Sequence, residues 1–222
     1  MVYLEEVETV LKRNRLLFDR TYSRGYLGRS DTKRLTYEEL WKTTVSSAAF
    51  DFRLIDNSLL DFSISQYGDM QPRFAYYPSP YIYPSLHDYL IQEGFDLGSK
   101  EFHEASSACA EEYMEQLANA PINPNPMTIR YDKQTDSYSE AIHPENHMHL
   151  GLNNDIRIGC GNNLSPLDFT HFVIRQVYPQ YWKVYSAKHE ASIRQRISNK
   201  PSLHSRNFGN IDELELYLKY LP

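Results

Sequence analysis

FDFRLIDNSLLDFSI, residues 50–64, decides the fold. Before it, apolar residues recur at helical spacing; inside it, they fall on every second position. Phe50, Phe52 and Leu54 alternate with Asp51 and Arg53, and Leu60, Phe62 and Ile64 follow Asp56-Asn57-Ser58 with the same period. A period of two places one face of a strand against a core, and an Asp-Asn turn between two such runs predicts a β-hairpin.

The neighbouring elements follow from this hairpin. Upstream, Val2, Val7, Val10, Leu11 and Leu17 are spaced for a helix over residues 2–18, and Thr21–Lys33 reads as a loop. Thr36-Tyr-Glu-Glu39 is a capping box that starts a helix running to about Ser46. Downstream, Arg73–Tyr77 is a third strand, closed by Pro78 and Pro80. Ser85–Gln92 is a short helix ending at Gly94. Ser99–Ala118 is a longer one with the apolar stripe Phe102, Ala105, Cys109, Tyr113 and Leu117. The prolines of PINPNP, residues 121–126, stop it.

Strands then resume at Met127–Tyr131, Tyr138–Ile142, His147–Leu152 and Ile156–Ile158, with Asn153–Asp155 as the last turn. Ser165-Pro-Leu-Asp168 opens a helix whose inner face is Phe169, Phe172, Val173 and Val177. Tyr178–Ile197 continues as a second helix, and Asp212–Tyr220 is a short last one. This order predicts an α+β fold. It is a mostly antiparallel meander covered by helices, with N-terminal and C-terminal helices, in a single domain over 1–222 whose part from about 165 is helical.

Composition excludes several classes. The chain has 222 residues, 41% hydrophobic and 23% charged, enough for a packed core without staples. No apolar run approaches the roughly 20 residues of a membrane span. The N-terminus lacks a secretory signal, and Cys109 and Cys160 form no metal or disulfide pattern, so a cytoplasmic protein with free thiols is expected. The net charge of -6 argues against bulk attraction to nucleic acid. Lys12–Arg34 nevertheless holds eight Lys/Arg against two acids, and Lys183–Arg206 six against one. These stretches are two solvated helical faces or, if they meet, one basic face. Tyrosine is in excess, with 18 copies. The run Tyr76–Tyr83 reads as an edge strand blunted by prolines, or as a surface on which bases stack.

HPENHMHLG, residues 143–151, holds three of the eight histidines. In a strand, His147, His149 and Gly151 share one face, while Met148, Leu150 and Leu152 form the apparent core side. The imidazoles would start from positions about 7 Å apart, and Gly151 would leave room for a ligand or another backbone. Three readings stand open. The rings can be structural, can pair as acid and base on a phosphodiester, or can supply two metal ligands, with His143, Glu145 or Asp132 as the third. Arg157 on the next strand can anchor phosphate, and Asp132 can orient an imidazole.

The pattern His143-Pro-x-x-His147-x-His149-Leu-Gly151, then Arg157-Ile, Leu164-Ser-Pro-x-x-Phe169-x-x-Phe172 and Val177-Tyr-Pro179 resembles an uncharacterised bacterial family known only as a domain of unknown function. The resemblance is closest over the last third of the chain. It implies a setting beside mobile-element or phage-defence genes. Arg130-Tyr-Asp132 followed by His143–His149 is also similar, more weakly, to small toxins of bacterial toxin–antitoxin pairs, which implies RNA or DNA as partner.

The expectation is a nuclease-like effector acting on RNA by acid–base catalysis. His147 and His149 would be the pair, His143 a third member, Arg157 the phosphate anchor and Asp132 the orienter, with no cofactor required. The alternatives are a non-enzymatic subunit bound to a protein encoded nearby, and a hydrolase dependent on zinc or another divalent metal. The sequence is compatible with a homo-oligomer.

Overall fold

The computed structural model describes residues 2–23, 25, 35–63, 72–96, 99–139, 143–152, 156–160 and 164–198. Ile64, most of the predicted loop before Lys33, residues 140–142 of the predicted strand Tyr138–Ile142, the Asn153–Asp155 turn and the helix at Asp212–Tyr220 lie outside them.

In chain order the elements are α1 (Val2–Arg13), β1 (Leu17–Arg20), α2 (Tyr37–Ser46), β2 (Phe52–Leu54), β3 (Leu59–Ser63) and β4 (Arg73–Tyr77). They continue with α3 (Leu86–Gln92), α4 (Lys100–Ala108), α5 (Ala110–Ala118), β5 (Ile129–Lys133), β6 (Asn146–Leu150), β7 (Ile156–Gly159), α6 (Pro166–Val177) and α7 (Pro179–Ser198). The strands form one seven-stranded antiparallel sheet in sequence order, so the α+β meander is observed. No described helix is long and apolar enough to cross a membrane.

The chain divides into two compact units. One comprises residues 16–60 and 77–126. Here the decisive stretch forms its hairpin, with Phe52 opposite Leu60 and Arg53 opposite Leu59. Asn57 makes the turn at φ 64°, a left-handed conformation that Asn tolerates better than most residues. Its buried side chain accepts from Arg53 Nη2 and donates to the Tyr113 hydroxyl at 2.9 Å, while Trp41 Nε1 donates to its carbonyl at 3.2 Å. The core around this network contains Trp41, Phe50, Leu59, Leu90, Phe102 and Leu117. Asn57→Ala removes both side-chain bonds and leaves the buried Arg53 guanidinium only the weak acceptor Met114 Sδ and the Phe18 and Trp41 rings. It is expected to destabilise the fold by about 2 kcal/mol in denaturant unfolding. An Asn57→Ala midpoint unchanged from the parent would show that the turn does not depend on this network.

The second unit comprises residues 1–15, 61–76 and 127–222. Phe62 and Phe74 each pack on Phe169 of α6, with ring centroids 6.1 and 5.9 Å apart, and Phe74 stacks on Tyr131. Helix α1 packs against α6, and α6 against α7. Ser165 and Asp168 form a reciprocal capping box at the start of α6, with Pro166 in its first turn. Thr36 and Glu39 do the same for α2.

Three local expectations are corrected. The N-terminal helix stops at Arg13 because Arg15 adopts φ 56°, and Leu17 then begins β1. The predicted Ser99–Ala118 helix breaks at Cys109 into α4 and α5, although its stripe still faces the core. Tyr76 and Tyr77 lie in β4, between β3 and β5, so this is an interior strand rather than an edge. The tyrosines there serve packing: Tyr76 is buried and its hydroxyl meets that of Tyr178 at 3.3 Å.

Candidate active site

Antiparallel register brings the polar residues of four strands to one face. Arg73 of β4 lies opposite Asp132 of β5, and Asp132 opposite His147 of β6. In the next row Arg130 lies opposite His149, and His149 opposite Arg157 of β7. Directly opposed residues point to the same side of a sheet. The other side carries Phe74, Tyr131 and Met148, in register with one another and against α6 through Phe74.

Both sides of β6 are covered. His147 is 0% exposed and His149 3%, while Met148 and Leu150 are only half-buried. The Met148 side is still the core side, with Asn146 and Tyr131 fully buried and Phe74 packed on Phe169, and the histidines are buried in addition. Met148 and Leu150 stay half-buried because β6 lies next to the edge strand β7, whose Ile156 opposite Leu150 is itself exposed. On the polar side the Pro144 carbonyl and the His143 ring cover His147.

The rings also lean together. The His147 and His149 centroids are 4.7 Å apart, closer than the strand spacing suggested, and His143 stands 4.7 Å from His147 on the other side. His147 Nδ1 lies 2.8 Å from the Pro144 carbonyl, an acceptor, so that nitrogen carries the proton and Nε2 the lone pair. His147 Nε2, His149 Nδ1 and His143 Nδ1 are buried ring nitrogens without a hydrogen-bond partner.

Asp132 is buried and held from two sides. Arg130 Nε donates to its Oδ2 at 2.7 Å, and Arg73 Nε lies 3.7 Å from Oδ1. His149 Nε2 stands 3.5 Å from Oδ2. Burial pushes the His149 ring down to about 4, helped by the Arg130 and His147 charges, against the pull of Asp132. Burial also lowers His147, partly offset by its bond to Pro144. Both rings are therefore neutral at pH 7, with lone pairs to offer rather than protons.

The structure brings His143, His147, His149, Asp132 and Arg157 to one site. It adds Arg73, which the sequence reading passed over. Its pairing with Asp132 spans 59 residues of chain and leaves no local signal beyond a charged residue at a strand start. Glu145, one of the three candidates for a third metal ligand, instead faces Lys133 and Thr135 at 3.5 and 3.4 Å. Gly151 has φ 84°, and its backbone bonds Thr128 at both ends; its role is a left-handed turn.

A family model described as "Uncharacterized conserved protein (DUF2290)" matches residues 9–209. The chain belongs to this family. The DUF2290 match takes in both compact units and every residue of the site, well beyond the last third of the chain in which the resemblance was closest. No curated protein and no solved structure matches the chain.

Proposed function

We propose that this DUF2290 protein is a nuclease-like phosphodiesterase acting on RNA. The observation that carries this reading is the set of three guanidinium groups, Arg73, Arg130 and Arg157, on the same sheet face as neutral His147 and His149. Their exposure is graded. Asp132 and the two rings are buried, Arg73 and Arg130 are half-buried, and Arg157 is exposed on the edge strand. Planar guanidinium groups suit phosphate oxygens, and stabilising developing charge is their usual share of phosphoryl chemistry. The neutral rings favour lone-pair donation, to a proton or to a metal, over proton donation. The toxin-like order of Arg130-Tyr-Asp132 and His143–His149 supports a nucleic-acid substrate and a defence or toxin–antitoxin setting in the cytoplasm, and RNA is preferred because its own 2′-hydroxyl can be the nucleophile.

The test is cleavage of end-labelled RNA by the purified chain, with single-stranded DNA in parallel. Arg157→Ala is expected to lower kcat/KM about 100-fold, as for loss of one charge-stabilising donor. Absence of any RNA cleavage, or full activity in Arg157→Ala, would rule the reading out.

A second reading has its own support. His147 is sealed from solvent, beyond direct contact with a polymer. A non-enzymatic subunit, bound to a protein encoded beside it, would use the cluster only as structure. It predicts co-elution with that neighbour, unaltered in His149→Gln.

A further inference from the structure

We infer that Asp132, His147 and His149 hold a divalent metal ion of the zinc type. Its catalytic meaning rests on the phosphodiesterase reading; the ion's binding does not. One donor atom from each residue lies within 4.8 Å of the others. In a tetrahedral zinc shell, with bonds of about 2.0–2.2 Å, such atoms would be roughly 3.4 Å apart. Inward movement on the order of 1 Å closes the gap, and His149 Nε2 and Asp132 Oδ2 are already 3.5 Å apart.

An unpartnered nitrogen is the second observation. A buried polar atom without a partner is costly, and such atoms call for an explanation. Here His147 Nε2, the lone-pair nitrogen, is buried without a partner beside the His149 ring, whose Nε2 faces Asp132 and would be its ligating atom, leaving the proton on Nδ1. One cation can serve several lone pairs at once, which a proton cannot. The surroundings match this use. Metal-binding imidazoles usually donate their other ring N–H to a carbonyl or carboxylate, and His147 meets the Pro144 carbonyl in this way. A ligating carboxylate is usually held by its own partners, and Arg130 holds Asp132.

Two imidazoles and one carboxylate select the metal. Magnesium and calcium take oxygen shells, whereas imidazole suits zinc and its first-row neighbours. Three protein ligands leave a coordination position open, the arrangement of catalytic zinc sites. The three arginines make the surroundings cationic, so the fourth ligand should be an anion, and a phosphate oxygen fits.

The experiment uses the full chain, stripped with chelator and reloaded with zinc or cobalt alone. Elemental analysis after gel filtration should find one zinc per chain, and cobalt should give the visible bands of a four- or five-coordinate site. His147→Gln and His149→Gln should each weaken zinc binding more than 100-fold, and Arg130→Gln about 10- to 100-fold, as for a residue that orients a ligand. Circular dichroism establishes that each variant is folded. If a variant fails to fold, the wild-type stoichiometry and cobalt spectrum decide. A folded wild-type chain that takes up no stoichiometric zinc overturns the inference. So do folded histidine variants that bind as tightly as the parent. Zinc binding without RNA cleavage supports the metal site and removes the phosphodiesterase reading. Cleavage that persists in chelator, with no zinc bound, does the reverse.

Discussion

Between pH 7 and pH 5 the metal-free chain should lose about 2 kcal/mol of stability to His149 alone, and about 3 kcal/mol by pH 4. The ring takes up a proton near 6.5 in the unfolded chain but only near 4 in the folded one. Between these values the unfolded state holds the extra proton. Its contribution is therefore fully present above pH 6.5 and falls by about 1.4 kcal/mol for each unit of acidification. Burial of His147 acts in the same direction. Most of this window lies above the range where carboxylates titrate, so the slope there belongs to imidazole. The check is urea unfolding at half-unit pH steps with chelator present. His149→Gln should flatten the curve between pH 6.5 and 5. A parent curve already flat there would mean that His149 titrates normally and that the site is open to water.

The same burial separates what could be read in the sequence from what could not. The β2–β3 hairpin, strand β4 and both capping boxes were legible because each depends on residues within a few positions of one another. Thr36 and Glu39, or Ser165 and Asp168, sit one helical turn apart, and the period of two is visible from Phe50 onward. The break at Cys109 was not legible, since the apolar stripe runs through it without interruption. The burial of the histidines was not legible for a different reason. Alternation says which residues share a side, and His147 and His149 do share one. It does not say whether both sides are covered.

The site itself was half legible. His143, His147, His149, Asp132 and Arg157 stand close together in the chain, and their neighbourhood follows from two adjacent hairpins. Arg73 enters only when β4 is laid beside β5, a pairing set by tertiary structure. Without Arg73 the cluster reads as a histidine pair with one anchor. With it, the carboxylate beside His149 has an arginine at each oxygen and is held in place.

Phe169→Ala should be the most destabilising of these substitutions, by about 3–5 kcal/mol, the usual cost of emptying a fully buried aromatic site. Phe169 is 0% exposed and its ring contacts both Phe62 and Phe74. Phe74 in turn stacks on Tyr131 at 5.4 Å, and Tyr131 donates to Asn146 Oδ1 at 2.8 Å. This chain of contacts runs along the side of the sheet opposite the histidines and holds β4, β5 and β6 in register. Arg73, Asp132 and His147 keep their alignment only while that register holds. Phe169→Leu, which refills most of the volume, should recover more than half of the loss. Guanidinium unfolding measures both variants, and zinc titration of the folded fraction follows the site. A loss below about 1 kcal/mol in Phe169→Ala would mean that α6 does not anchor this part of the sheet. A full loss of stability with unchanged zinc affinity in the remaining folded molecules would mean that the ligands are positioned by β5 and β6 alone.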